Sequence, residues 1–138
     1  MINEVVTSIT RTLSNEFPEH DVLVDEIPQD FKKESFFVKV LAPSVTEQMD
    51  KRFMLIIPID VHYWGNNNRE RNAMFMQLNQ LLEVLTSKTG NKFRGANRSM
   101  EIVDGCLHCF VTYRLFLTRI QVEEFMQTLE IKSNVKGE

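Results

Sequence analysis

The sequence predicts an α+β fold, a mostly antiparallel β-sheet with two main helices packed on one face and a long β-hairpin late in the chain. Three observations predict it. The chain opens with apolar residues at helical spacing, has a long alternating run in its middle, and carries Asp-Gly between two alternating runs near its end. A length of 138 residues suits one domain of roughly 100–200 residues. We therefore expect residues 1–138 to form a single domain.

The composition is that of an ordinary globular protein. With 43% hydrophobic and 25% charged residues, the chain is neither globally disordered, nor collagen-like, nor a coiled coil. Its longest apolar stretch, residues 53–59, is far shorter than the roughly 20 residues of a membrane span. Asn3 and Glu4 stand where a signal peptide would be basic or apolar. We therefore predict a protein that is cytosolic when made and has no membrane partner.

Charge and cysteine content restrict the partners further. The net charge of −3 offers no overall attraction to nucleic acid or anionic lipid, so DNA binding would need a local patch, and we expect no sequence-specific recognition. The two cysteines, Cys106 and Cys109, are expected to be reduced in the cytosol. Stability must then come from burial rather than from disulfides.

The first helix and strands follow from short patterns. A helical stripe ends before Pro18 and consists of Ile2, Val5, Val6, Ile9, Leu13 and Phe17. Two apolar runs of strand length, residues 22–27 and 36–41, are predicted to be neighbouring strands, separated by the polar stretch 28–35. The polar residues 43–52 are expected to form a loop.

The strongest strand signal runs from Phe53 to Trp64. One face carries Phe53, Leu55, Ile57, Ile59, Val61 and Tyr63. The second face carries Met54, Ile56, Pro58, Asp60, His62 and Trp64. Because Pro58 cannot donate to a strand ladder, we expect this strand to lie at an edge of the sheet or to be bulged there.

A second helix is predicted after the strand, with Asn67 as its N-cap and Glu70 completing a capping box. Gly90 is a plausible stop for this helix. Its core stripe is Met74, Leu78, Leu81, Leu82 and Leu85. Beyond it, residues 87–99 are expected to form a loop. That loop has no acidic residue and four cations: Lys88, Lys92, Arg94 and Arg98.

The last part of the chain is predicted to form the long hairpin and then an arm. Asp104-Gly105 is the predicted turn of the hairpin. Residues 119–138 are predicted to be a C-terminal helix and strand arm. The helical stripe is Val122, Phe125, Met126 and Leu129, and the strand-like positions are Leu129, Ile131 and Val135.

A zinc site is the first chemical hypothesis that the sequence raises, because Cys106 and Cys109 form a C-x-x-C with His108 between them. On a strand, however, the two cysteines point to opposite faces, and no second Cys or His pair completes four ligands. We interpret Cys109 as core and Cys106 as the residue after a turn. We therefore predict no metal site, and no redox pair either.

A catalytic site is the second hypothesis, because Asp60 and His62 share one strand face, and His108 can lie on the same face of the sheet. Polar residues that alternate with core residues are also what any half-buried strand shows. The chain has no phosphate loop, nucleophile elbow or H-E-x-x-H motif. We predict no catalytic residue and no cofactor.

The second sheet face is the stronger candidate for function. It is expected to be rich in aromatic side chains, so either the C-terminal segment covers it or it forms a subunit contact. Its members beyond Asp60 and His62 are Met54, Ile56, Trp64, Phe110, Thr112, Arg114 and Phe116. The basic loop is either a solvated loop or a projection that faces an anion or a partner.

Several stretches together resemble the tail terminator proteins of bacteriophages and prophages, over most of the chain. The early ones are Phe17-Pro18, Val24-Asp25-Glu26-Ile27-Pro28-Gln29-Asp30-Phe31 and Ser35-Phe36-Phe37-Val38-Lys39. The later ones are Ile59-Asp60-Val61-His62-Tyr63 and Asp104-Gly105-Cys106-Leu107-His108-Cys109-Phe110-Val111-Thr112-Tyr113. These stretches are hydrophobic patterns rather than catalytic signatures.

The resemblance implies a structural protein that forms a hexameric ring on the head-proximal end of a finished tail tube. Such a ring stops tube growth and presents a surface for joining the head. The implied partners are other copies of the chain, the tail tube protein, and sheath or head-tail connector proteins, while DNA passes through the ring lumen. The implied location is the host bacterial cytoplasm during assembly, then the tail of a virion, a defective phage or a tail-like bacteriocin.

We assign the subunit and tube contacts to the second sheet face, the basic loop and the C-terminal arm. The assigned residues are Trp64, Lys88, Lys92, Arg94, Arg98, Phe110, Arg114, Phe116, Ile131 and Val135. Three alternatives stay open: another neck component such as a head-tail stopper or tail-completion protein, a small metal-dependent nuclease that uses Asp60, His62 and His108, and a monomeric module that binds a small ligand.

Overall fold

A computed structural model describes residues 1–49, 52–118, 122–124 and 126–127 of the chain. Two helices and seven strands have these bounds: α1 (Ile2–Glu16), β1 (Val22–Leu23), β2 (Phe36–Val40), β3 (Ser44–Glu47), β4 (Phe53–Tyr63), α2 (Asn68–Leu81), β5 (Val84–Thr86), β6 (Lys92–Val103) and β7 (Cys106–Leu117). In the part of the chain described here, neither helix is long and apolar enough to cross a membrane.

The strands form one sheet in the order β1-β2-β4-β7-β6-β5, and β3 pairs with β4 beyond the end of β2. β1 and β2 are parallel, whereas the other pairs are antiparallel. Helix and strand residues from α1, α2 and one sheet face share a single apolar cluster. The predicted α+β class, with helices on one face of a mostly antiparallel sheet, is confirmed, and so is the pairing of the first two strands.

The core follows the predicted alternation of β4. Leu55, Ile57, Ile59, Val61 and Tyr63 are all buried. They pack with residues at helical spacing on α1 and α2, among them Val5, Ile9, Leu13, Met74 and Leu78. Burial of each such side chain stabilises the fold by about 1.5–3 kcal/mol. The same core therefore contains one apolar stripe from each of α1 and α2 and the alternate residues of the strands that face the helices.

Pro58 does not mark an edge strand, so that prediction was wrong. β4 pairs with β7 along its whole length, including Pro58 with Thr112, and lies between β7 and β2. Pro58 is tolerated because its missing donor faces the interruption between β2 and β3. There the Leu41 N–H donates to the Pro58 carbonyl at 2.9 Å, and no strand ladder needs a donor from Pro58.

The predicted loop 43–52 contains a strand, which is a second correction. β3 pairs Val45 with Leu55 and Thr46 with Met54, so that it continues beside β4 where β2 stops. Val45 is its one half-buried residue. A four-residue strand with three exposed side chains lacks the apolar alternation by which strands are predicted.

The start of α2 is as predicted, but its end is not. The Asn67 side chain accepts from the Glu70 N–H at 2.8 Å, and the Glu70 carboxylate accepts from the Asn66 N–H at 3.1 Å. The helix ends at Leu81 rather than near Gly90. Its C-terminal carbonyl at Leu82 is held by the Tyr113 hydroxyl, which donates to it at 2.8 Å. The chain then turns into β5, which carries Leu85 into the core.

The basic segment 87–99 is mostly strand rather than loop. Phe93 is buried and pairs with Leu85, while Lys92 and Arg94 beside it are exposed. The long hairpin of β6 and β7 that follows is as predicted. Its turn residues Asp104 and Gly105 have φ values of 50° and 73°, the left-handed conformations that a two-residue hairpin turn requires.

The C-terminal arm lies largely outside the described residues. Residues 122–124 and 126–127 are helical, as expected for the first half of the arm. Val122 packs against the core, and its N–H donates to the Thr118 carbonyl at 3.1 Å. The predicted positions Phe125, Leu129, Ile131 and Val135 lie outside the described residues.

Replacement of Gly95 by alanine should destabilise the fold. A Cβ at this position would collide with the Leu82 carbonyl oxygen and lie 2.7 Å from a methyl group of Val111. We expect a loss of about 1–3 kcal/mol in the free energy of unfolding, measured by urea denaturation. Ala96→Ser, which adds one atom at the next position on the opposite face, should cost no more than about 0.5 kcal/mol. Equal losses for the two variants would contradict this packing.

Candidate functional site

The sheet face opposite the core is the candidate site, and we call it the outer face. It consists of the alternate residues of β4 and β7, together with Trp64 directly after β4. The β4–β7 register places these residues side by side: Met54 beside Phe116, Ile56 beside Arg114, Asp60 beside Phe110, and His62 beside His108. Both described helices pack on the core side of the sheet. The structure thus brings together the residues that the sequence assigned to the second face.

The two ends of the outer face differ in character. At one end, Phe116 has 67% of its surface exposed, and Arg114 is also exposed. At the other end, Trp64 is half-buried because the ring of Phe31 packs on it, with the ring centroids 4.4 Å apart. Trp64 therefore has an aromatic contact within the chain, whereas the Phe116 side chain is mostly exposed.

The four cations of the basic segment do not form one patch. Lys92 and Arg94 alternate with the buried Phe93 and Gly95, so they lie on the outer face. Lys88 lies in the turn between β5 and β6 and lines a groove against α1. Arg98 is half-buried, and it donates to the Asn79 side chain and to the Gly95 carbonyl, both at 2.7 Å. Only Lys92 and Arg94 thus share the outer face, and the assignment of the four cations to a partner contact stays a prediction.

Arg98 has a structural role at the irregular part of β6. The β6–β7 register shifts between Ala96 and Ser99, and Asn97 there has a φ of 53°. By bonding Gly95 on one side and Asn79 of α2 on the other, Arg98 ties this bulge to the helix layer. Its charge is used inside the chain rather than offered to a partner.

The turn that carries Lys88 is fastened to α1. The Glu4 carboxylate accepts from the Asn91 amide at 3.0 Å and from the Thr89 hydroxyl at 3.1 Å. The Arg11 guanidinium donates to the Thr86 carbonyl. The hydrogen bond from Asn91 is the main reason that the pKa of Glu4 lies below its usual value. Hydrogen bonds therefore hold together the two walls of the groove, α1 and the turn.

A polar cluster lies in the Trp64 half of the outer face. One carboxylate oxygen of Asp60, Oδ2, is 2.9 Å from His62 Nε2 and 3.0 Å from His108 Nδ1. Asp60 is only 6% exposed. Burial tends to raise the pKa of its carboxyl, but the hydrogen bonds from the two imidazoles outweigh burial and hold the pKa below its usual value. The predicted grouping of Asp60, His62 and His108 on one face is confirmed.

Cys106 joins this cluster, and Cys109 does not. The two cysteines point to opposite sheet faces, as predicted, and Cys109 is fully buried in the core. Burial raises the pKa of the Cys106 thiol to about 11, so the thiol is neutral near pH 7 and is a poor nucleophile. Among the described residues, one ligand atom each from His62, Cys106 and His108 lie within 4.8 Å of one another.

The sequence indicated part of the grouping of His62, Cys106 and His108, but the C-x-x-C motif directed the prediction to the wrong cysteine pair. Cys106 and His108 are two residues apart, so on a strand they share a face, and His62 is their neighbour only through the β4–β7 register. Cys109 completes the C-x-x-C motif with Cys106, but its side chain points to the core face of the sheet.

The structure is an α+β domain that buries one sheet face and leaves the aromatic side chain of Phe116 exposed on the other. The family model for phage tail terminator proteins matches residues 4–124 of the chain, so the chain belongs to this family. The match confirms the resemblance seen in the sequence. A search of curated proteins gives no significant match.

Membership in this family makes the protein a structural component of a phage tail, which works together with other tail components. Its place is therefore the tail of a virion. Proteins of such a family are not normally enzymes.

The separation of the cations can be tested by comparing two arginines. Arg98→Ala removes one hydrogen bond from the β6 bulge to Asn79 of α2 and one to the Gly95 carbonyl within β6, and it should lower the free energy of unfolding by about 1–2 kcal/mol. Arg94→Ala removes an exposed side chain and should change it by no more than about 0.5 kcal/mol. Urea denaturation of both variants measures the difference. If Arg94→Ala proved as costly as Arg98→Ala, the two side chains would not be placed as described.

Proposed function

We propose that the protein forms a ring on the head-proximal end of a phage tail tube, ends polymerisation of the tube, and presents the surface to which the head or collar joins. The family supports a tail role. The observation that carries the finer proposal is the Phe116 end of the outer face, where an aromatic side chain is exposed next to Met54 and Arg114.

In a ring, each subunit contacts its two neighbours through two different, complementary surfaces. The same rotation relates each subunit to the next, and the ring closes when these rotations add up to a full turn. The Phe116 end of the outer face supplies one such surface, since exposed apolar side chains beside cations suit the centre and rim of a protein interface. In this proposal a neighbouring subunit covers Phe116 and Met54. Six subunits is the number that resemblance to the family implies.

The second contact surface is an edge of the sheet. In the described residues, β5 covers only the start of β6, pairing with Lys92, Phe93 and Arg94. Beyond the bulge, residues 99–103 pair with β7 and with no second strand among the described residues. We propose that the C-terminal arm of a neighbour, with Ile131 and Val135, adds as a strand along this edge, because an unpaired strand edge is a ready template for another chain.

The cations of the outer face complete the proposal. Lys92, Arg94 and Arg114 are exposed on the same sheet face as Phe116. In a chain whose net charge is −3, this local excess of positive charge selects an acidic surface on the neighbouring subunit or on the tube. Arg98 takes no part in it, because its side chain bonds Asn79 of α2 and the Gly95 carbonyl, and Lys88 lies apart from the outer face in the turn beside α1.

Phe116→Glu should abolish capping. The variant replaces an exposed aromatic contact by a charge, and the loss of about 1.5–3 kcal/mol per subunit contact weakens each contact by about tenfold or more. Met76→Glu is the matched control, since Met76 is 61% exposed on α2. Tail tubes assembled with each protein are inspected by electron microscopy for a terminal ring and for tube length. We expect uncapped, overlong tubes with Phe116→Glu and capped tubes with Met76→Glu.

The same images distinguish the proposal from its closest alternative. A ring at the end of a tube without a head attached supports a terminator, whereas a ring found only on the head-side connector identifies a head-tail stopper or a tail-completion protein. Normal capping by Phe116→Glu, with its folding checked by circular dichroism, would refute the assignment of the outer face.

Deletion of residues 129–138 should weaken the ring without unfolding the domain. The core residues that the structure describes all precede position 129, so we expect the melting temperature of the isolated chain hardly to change. Loss of a strand added at the β6 edge should shift the assembled species toward monomers, as measured by native mass spectrometry of complexes released from tubes. An unchanged ring mass for the truncated chain would reject the proposed role of the arm.

A further inference from the structure

The cluster at the Trp64 end of the outer face has the donor set of a transition-metal site. His62 and His108 lie opposite each other on β4 and β7, with ring centroids 4.2 Å apart, and Cys106 lies two residues before His108 on the same face. One ligand atom from each of the three lies within 4.8 Å of the others. In a tetrahedral zinc site the ligand atoms are roughly 3.5 Å apart, given bonds of about 2.0–2.3 Å, so small side-chain rotations would complete the set.

Asp60 supports the same interpretation. Its Oδ2 is hydrogen-bonded to one nitrogen of each imidazole. When a neutral imidazole donates its one N–H to this oxygen, its other nitrogen keeps a lone pair that can bind a metal. A carboxylate that holds ligating histidines is the usual outer partner of a protein metal site. The other oxygen of Asp60, Oδ1, is buried and has no hydrogen-bond partner within the described part of the chain. A buried carboxylate without full pairing is costly, and a bound cation offsets that cost.

The surroundings of the cluster suit a small cation that enters from solvent. The side chains of His62 and His108 are partly exposed, whereas Asp60 beneath them is nearly buried. The rings of Phe37 and Trp64 flank His62, and the ring of Phe110 stacks beside His108. Such an apolar rim lowers the local dielectric constant and strengthens the bonds between a metal and its ligands.

We propose that His62, Cys106 and His108 bind one zinc-type divalent cation, with Asp60 positioning both imidazoles. Two nitrogens and one sulfur match Zn²⁺, Co²⁺ and related ions and do not match Mg²⁺ or Ca²⁺, which prefer oxygen ligands. The site joins β4 to β7 across the sheet and leaves a fourth position on the metal for water or another ligand. This proposal does not depend on the ring, because all four residues belong to one chain.

The test uses the full-length, tag-free protein, stripped of metal and kept reduced. Titration with Co²⁺ should produce visible bands of a four-coordinate ion and an intense near-ultraviolet band from thiolate to cobalt, both saturating at one ion per chain. Zn²⁺ should displace Co²⁺ and raise the melting temperature by about 5 °C or more when it is present at about a hundred times its dissociation constant.

The chain offers matched controls, since it has only two cysteines and three histidines. Cys106→Ser should lose the thiolate band, while Cys109→Ala, which alters the other cysteine on the core face, should keep it. His62→Gln should weaken binding by at least about tenfold, while His20→Gln should not. Asp60→Asn should keep the thiolate band and weaken the affinity by about 10–100-fold, as expected for an outer partner.

The proposal fails if the native protein shows no thiolate band with excess Co²⁺, or if Cys106→Ser binds the ion with unchanged spectrum and affinity. It also fails if Co²⁺ binds only at millimolar concentration. In that case hydrogen bonds alone hold the cluster together, and a proton rather than a metal balances the charge of the Asp60 carboxylate. If a variant does not fold, the native protein still decides the matter, because native mass spectrometry of the folded chain must show one bound Zn²⁺ per chain. Absence of bound Zn²⁺ from the folded native chain would overturn it.

Discussion

The pairing of β4 with β7 is the contact on which the rest of the structure depends. These two strands are bonded from Phe53 beside Leu117 to Tyr63 beside Leu107, without interruption. Because side chains alternate along a strand, this one register decides at once which residues enter the core and which stand on the outer face. A slip of β4 by one residue against β7 would place Ile57 in solvent and Asp60 in the core.

The helix layer is fitted to that strand pair by a few specific contacts. Tyr113 reaches through the core to hold the carbonyl of Leu82 at the end of α2, and the Gly95 N–H donates to the Glu83 carbonyl close by. The bulge in β6 beside Gly95 is then tied to α2 through Arg98. These contacts explain why α2 ends where it does and why the chain returns to the sheet as β5. The basic segment becomes a strand for the same reason.

The outer face that results has two separate parts with different chemistry. The Phe116 end is apolar and basic, and it suits contacts with other tail proteins, in keeping with the family to which the chain belongs. The Trp64 end holds the buried carboxylate of Asp60, which is hydrogen-bonded to the partly exposed His62 and His108 within the chain. A ring subunit that uses the first part for assembly leaves the second part free for a separate, structural role.

Much of the fold could be predicted from sequence because its signals are local. The stripe of α1, the alternation of β4, the Asn67 cap and the Asp104-Gly105 turn each depend on residues close together in the chain. The predictions that were wrong concern residues whose structure depends on contacts with residues far away in the sequence. β3 exists because β4 offers it an edge, Pro58 is tolerated because β2 ends opposite it, and Arg98 is bound by Asn79 of α2. The sequence by itself determined the class of fold, the core and the family resemblance, because periodicity and turn chemistry depend on residues that are close together in the chain. Only the tertiary structure decided that Cys106 meets His62 and His108, and that the four cations separate, because the register between strands brings together residues that are far apart in the chain.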